Sequence, residues 1–85
     1  MKAVKIYTKD YCPYCQRAKA FLKQKSVNFE EQNIEGDTAT AEKLFSKTGF
    51  RTVPQIFIED ECIGGYDNMM ELERQGVLNE KLGLK

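Results

Sequence analysis

The feature that most constrains this chain is the passage from Ala3-Val4-Lys5-Ile6-Tyr7 into Tyr11-Cys12-Pro13-Tyr14-Cys15-Gln16-Arg17. Over residues 2 to 8, Val4 and Ile6 share one face while Ala3, Lys5 and Tyr7 share the other, the period-two pattern of a strand. From Pro13 to about Lys25, Ala18, Phe21 and Leu22 recur at helical spacing, with Lys19, Lys23 and Lys25 left for solvent. Proline suits a first helical turn because it has no N–H to leave unpaired and its φ is already helical. Cys12 then falls at the junction, where a helix start offers free backbone N–H groups, and Cys15 falls on the same side one turn later. Two sulfurs so placed can close and open as a disulfide.

The cysteine count sharpens this reading. Three cysteines, two of them adjacent in space, do not describe a disulfide-stapled secreted miniprotein, which carries an even number spread along its length. Histidine is absent, so a tetrahedral zinc site would have to recruit Cys62 and a carboxylate or a second chain. No metal site is expected. Thirteen basic and thirteen acidic residues cancel, which argues against nucleic acid or an anionic membrane as the main partner. The opening residues lack the apolar run of a signal peptide, and nowhere do about 20 apolar residues follow one another as a membrane span requires. A cytoplasmic, monomeric protein with one domain over residues 1–85 is the expectation.

Beyond the first helix, Val27 and Phe29 alternate with Asn28 and Glu30, predicting a second strand that ends near Ile34 before Glu35-Gly36-Asp37. Strand, helix and strand within about 30 residues form a right-handed βαβ unit. Asp37 or Thr38 can cap a second helix that runs to Thr48, with Ala41, Leu44 and Phe45 inward and Gly49 as its stop. Thr52 to Ile58 predicts a third strand and Cys62-Ile63 a fourth, joined through Glu59-Asp60-Glu61 as an antiparallel hairpin. Asp67 or Asn68 is expected to cap a third helix ended by Gly76, with Asn68 and Glu71 at capping-box spacing. A last helical turn is expected between Val77 and Leu84.

Cys12-Pro13-Tyr14-Cys15, Thr52-Val53-Pro54 and Gly64-Gly65-Tyr66-Asp67, in this order and spacing, closely resemble the dithiol glutaredoxins over nearly the whole chain. The resemblance implies an α/β, thioredoxin-like fold: a four-stranded mixed sheet, built from a parallel βαβ unit and an antiparallel β-hairpin, with helices on both faces. It implies a glutathione-dependent thiol–disulfide oxidoreductase with Cys12 as nucleophile and Cys15 as resolving cysteine. Its substrates would be protein disulfides and glutathione mixed disulfides. Glutathione would serve as co-substrate with no tightly bound cofactor. Ribonucleotide reductase is one candidate protein substrate by family.

The same resemblance implies a glutathione cradle. Lys9 and Arg51 would meet the glycine carboxylate, the Val53 backbone would pair with the cysteinyl portion, and Asp67 with the N–H groups near Tyr66 and Asn68 would hold the γ-glutamyl end. Tyr14, Thr52, Pro54 and Gly65 would complete the groove, and the Val53–Pro54 bond would be cis. Read singly, Asp67 is an ordinary helix cap, Arg51 a surface charge and Thr52 a β-former. Cys62 departs from the family pattern before Ile63-Gly64-Gly65 and reads as a passive, half-buried thiol beside acidic neighbours. Two other readings share the cysteine pair: a redoxin served by thioredoxin reductase, and an iron–sulfur carrier in which two chains and two glutathiones hold a cluster. The cradle residues disfavour the first, and Pro13 disfavours the second.

Overall fold

The computed structural model describes residues 1–84. In chain order these form β1 (Val4–Thr8), α1 (Pro13–Gln24), β2 (Glu30–Asn33), α2 (Thr38–Thr48), β3 (Gln55–Ile58), β4 (Glu61–Gly64), α3 (Tyr66–Arg74) and α4 (Leu78–Leu82). The sheet runs in the order β2-β1-β3-β4. β2 is parallel to β1, and β3 is antiparallel to both β1 and β4. This is the mixed sheet implied by the family resemblance, with a parallel βαβ unit and an antiparallel hairpin.

Alternation along the central strands builds a core on each face. Val4 pairs with Ile58 and Ile6 with Ile56, so four branched side chains lie together on one side of the sheet. Ala18 and Leu22 of α1, Met69 of α3, Leu78 and Leu82 of α4 and Val27 close over them. On the other side, Phe57 meets Tyr7 edge to face at 5.6 Å, and α2 packs there through Ala41 and Leu44 with Ile34. Asp37 caps α2 by accepting from the Thr40 N–H at 3.1 Å, and Gly49 ends it at φ 80°, as the sequence suggests.

Several boundaries move. β2 comprises Glu30–Asn33, whereas the alternation at Val27 and Phe29 suggested a strand there. Val27 is instead spent on ending α1: its N–H bonds to the Leu22 carbonyl at 2.9 Å, and its side chain is buried in the larger core. β1 starts at Val4, two residues after the expected start. β3 starts at Gln55, three residues after Thr52, because Pro54 has no N–H to give the ladder. β4 is longer than Cys62-Ile63 by one residue at each end.

The third helix is the clearest correction. Neither Asp67 nor Asn68 is its cap, because α3 begins at Tyr66 with Gly65 as the flanking residue. Asn68, in the first turn, turns its carboxamide oxygen back to accept from the Gly65 N–H at 3.0 Å. Asn68 therefore supplies the reaching-back half of a capping box, with Gly65 as partner in place of Glu71. Gly64 sits at φ 104°, and a side chain there would strike the Asn68 carboxamide. α4 supplies the expected last turn.

Candidate active site

Cys12 is the residue flanking the start of α1, in extended conformation, and its Sγ accepts from the Cys15 N–H at 3.1 Å. The preceding Tyr11 has φ 53° and is fully exposed, so the turn that delivers Cys12 to the helix pushes an aromatic ring into solvent. On its other side the Cys12 thiol lies 3.8 Å from the Val53 carbonyl, to which it can donate. The Val53–Pro54 peptide is cis, as the resemblance implied.

Cys15 differs in every respect. It is wholly buried one turn inside α1. Burial, and after it the adjacent Cys12 sulfur, push its thiol up to about 12, against the opposing Lys9 backbone N–H and Lys19 charge. Among the described residues all three cysteines are free thiols. Cys62 is half-buried on β4 beside the α2-side core, and burial, partly offset by the Gly64 N–H, pushes its thiol up. Burial, not the acidic neighbours named from the sequence, is what raises it.

A groove of about 370 Å³ runs between the start of α1, the loop before β3 and the start of α3. Tyr14, Thr52, Val53, Pro54, Gly65, Tyr66, Asp67 and Asn68 all line it, so the structure gathers seven residues from three separate motifs together with Asn68, the residue after the last. Tyr14 and Tyr66 face one another across it, ring centres 6.1 Å apart, and the Arg17 guanidinium lies 5.1 Å from the Tyr14 ring centre. Two expected residues are not gathered here. Lys9 lines a second cavity of about 680 Å³ that also contains Cys12, and exposed Arg51 lines neither. Cys12 thus joins the two spaces, lining the second and touching Val53 of the first.

Two contributors escaped the sequence reading. Phe50 lines the first groove and remains partly exposed; its only signal was an apolar residue directly after the helix-ending Gly49. Gln55 is wholly buried and ties the groove loop down. Its amide nitrogen donates to the Phe50 carbonyl at 3.0 Å, its amide oxygen accepts from the Thr48 hydroxyl at 3.0 Å, and the Phe50 N–H donates to that hydroxyl at 3.1 Å. Every arm of this small network holds the segment that leads to Val53.

A four-stranded mixed sheet with a Cys-x-x-Cys pair at a helix start, one thiol at the surface and one buried, defines a thioredoxin-like thiol oxidoreductase. The glutaredoxin family model matches residues 4–63. Glutaredoxin 3 of Escherichia coli (strain K12) is 48% identical over 82 residues, 96% of this chain and 99% of that protein. Among solved structures, a buckwheat glutaredoxin–glutathione complex superposes with a TM-score of 0.90 at 35% identity, over 96% of this chain and 77% of that one. The solution structure of a glutaredoxin from Brucella melitensis gives 0.84 at 38% identity, over 100% and 95%. The chain belongs to the glutaredoxin family, oxidoreductases that act with glutathione.

Proposed function

We propose that the protein reduces glutathione mixed disulfides and protein disulfides, with Cys12 as the attacking thiolate and Cys15 as the resolving thiol. The observation that carries this is the asymmetry of the pair: Cys12 holds an amide hydrogen bond at the helix start, while Cys15 is wholly buried. The Cys12 thiolate attacks the glutathione sulfur of a mixed disulfide. The protein sulfur departs as a thiolate that takes a proton from solvent, and glutathione stays on Cys12 until a second glutathione displaces it. With a protein disulfide, Cys15 attacks the Cys12 sulfur instead, releases the substrate thiol and leaves the pair oxidised for glutathione to reduce.

In this reading glutathione lies in the groove, its cysteinyl backbone along Val53 and its γ-glutamyl end at Asp67 and the first turn of α3. The buckwheat structure, a glutathione complex of the same fold, supports glutathione as the ligand. An extended peptide suits the Val53 backbone because β3 begins only at Gln55, which leaves Val53 outside the ladder. Thr52, Pro54, Gly65 and Tyr66 wall the groove, and Tyr14 covers it. The glycine carboxylate calls for a cation, which Lys9 and Arg51 would supply from outside this groove. The protein would act as a monomer, and ribonucleotide reductase remains a candidate substrate.

Two substitutions test the assignment. Cys12→Ser is expected to abolish reduction of a glutathionylated substrate by glutathione and glutathione reductase, while Cys15→Ser retains much of it. Equal loss in both would overturn the division of roles, and faster turnover with thioredoxin reductase than with glutathione would overturn the choice of reductant.

A further inference from the structure

The buried thiol of Cys15 must lose a proton before it can attack, and the fold places a lysine on its side of the helix. Lys19 follows Cys15 by four residues on α1, so both side chains lie on one face. The Lys19 ammonium is not free to wander. It lies 3.0 Å from a Glu31 carboxylate oxygen of β2, and the same oxygen accepts from the Thr8 hydroxyl at 2.8 Å. Thr8 is itself buried at the end of β1, directly before the turn that leads to Cys12. Three elements therefore converge on one carboxylate oxygen. The Thr8 hydroxyl first and Lys19 second hold the Glu31 carboxyl below its ordinary range, which keeps it charged and the tether intact through neutral pH. Lys19 and Glu31 also line the cavity that contains Cys12.

We propose that Lys19, held by Glu31 and Thr8, is a positioning residue for the resolving step, stabilising the Cys15 thiolate as it attacks the Cys12 mixed disulfide. This rests on the dithiol reading of the pair. In that step Cys15 gives up its proton and its sulfur bonds to Cys12. The bond between Cys12 and the substrate sulfur breaks, and the departing thiolate takes up a proton. The two electrons pass from the cysteine pair to the substrate disulfide, and the ammonium is unchanged. Its contribution is electrostatic and belongs to the second step, because the first requires only Cys12.

The test follows both steps in one reaction. Reduced protein is mixed with oxidised glutathione and quenched in acid at short times. Mass spectrometry then resolves formation of the Cys12–glutathione disulfide from its conversion to the Cys12–Cys15 disulfide. Removing the ammonium lowers the Cys15 thiolate fraction, and the accompanying rise in nucleophilicity offsets only part of that loss. The second step is then expected to slow severalfold relative to the first. Lys19→Arg should restore the ratio, and Lys19→Gln should make no difference in a Cys15→Ser background. An unchanged ratio in Lys19→Gln, failure of Lys19→Arg to restore it, or an effect that persists without Cys15 would each overturn the inference. If the unsubstituted protein accumulates the Cys12–glutathione disulfide without converting it to the Cys12–Cys15 disulfide, the dithiol reading fails with it; if it converts and Lys19→Gln does not slow the conversion, only the role of Lys19 falls.

Discussion

Cys12 and Cys15 are separated by a single helical turn, yet solvent reaches only one of them. That difference comes from backbone position, since a residue flanking a helix start stays at the surface while one three places on turns inward. Asp67 is the complementary case at the other end of the groove. It is exposed in the first turn of α3, where a carboxylate favours the helix start, and it lines the groove with its side chain unburied. Asp67→Ala should therefore cost little stability, within about 0.5–1 kcal/mol as for other helix-start charges. It should raise the KM for glutathione severalfold in the coupled reductase assay, with thermal unfolding as control. An unchanged KM would remove Asp67 from the site.

The elements show which features could be read ahead of the structure. α2 was legible to within one residue at its start and to the residue at its stop, because Asp37 and Gly49 act locally, through an accepted N–H and a left-handed φ. β2 was not, because Glu30-Glu31-Gln32-Asn33 carries no apolar alternation and forms by pairing with β1, a contact made at a distance in sequence. The start of α3 was misplaced for a related reason: Asn68 bonds backward to Gly65, so the polar residue that marks the helix start lies inside it. Apart from Phe50, the groove residues were legible through the three motifs and the position that follows the last of them. Gln55 was not, since a glutamine beginning a strand resembles any surface polar residue until its partners are seen. Gln55→Leu would keep the volume while leaving the Phe50 carbonyl and Thr48 hydroxyl without their partner, at about 1–3 kcal/mol. Denaturant unfolding should register that loss, and the loosened loop should raise the glutathione KM. Lost stability with an unmoved KM would show that Val53 is held independently of this network.

At the scale of the molecule, the two cores are unequal. The larger takes α1, α3 and α4 against Ile6 and Ile56, and Leu22 is wholly buried in it. Leu22→Ala is expected to cost about 2–5 kcal/mol, a large share of the roughly 5–15 kcal/mol typical of a small domain. Unfolding monitored by circular dichroism should show one transition displaced to lower denaturant. The ends of the sheet carry a different lesson. Its outer strands are β2, four polar residues led by two glutamates, and β4, which opens with Glu61, and each has only four residues. Open strand edges invite other chains to add on and propagate a sheet, and short, charged edges discourage it. A protein that must meet other polypeptides repeatedly, and part from them each time, thus gives them little to extend along its flanks. The encounter is left to sulfur chemistry, and its products separate.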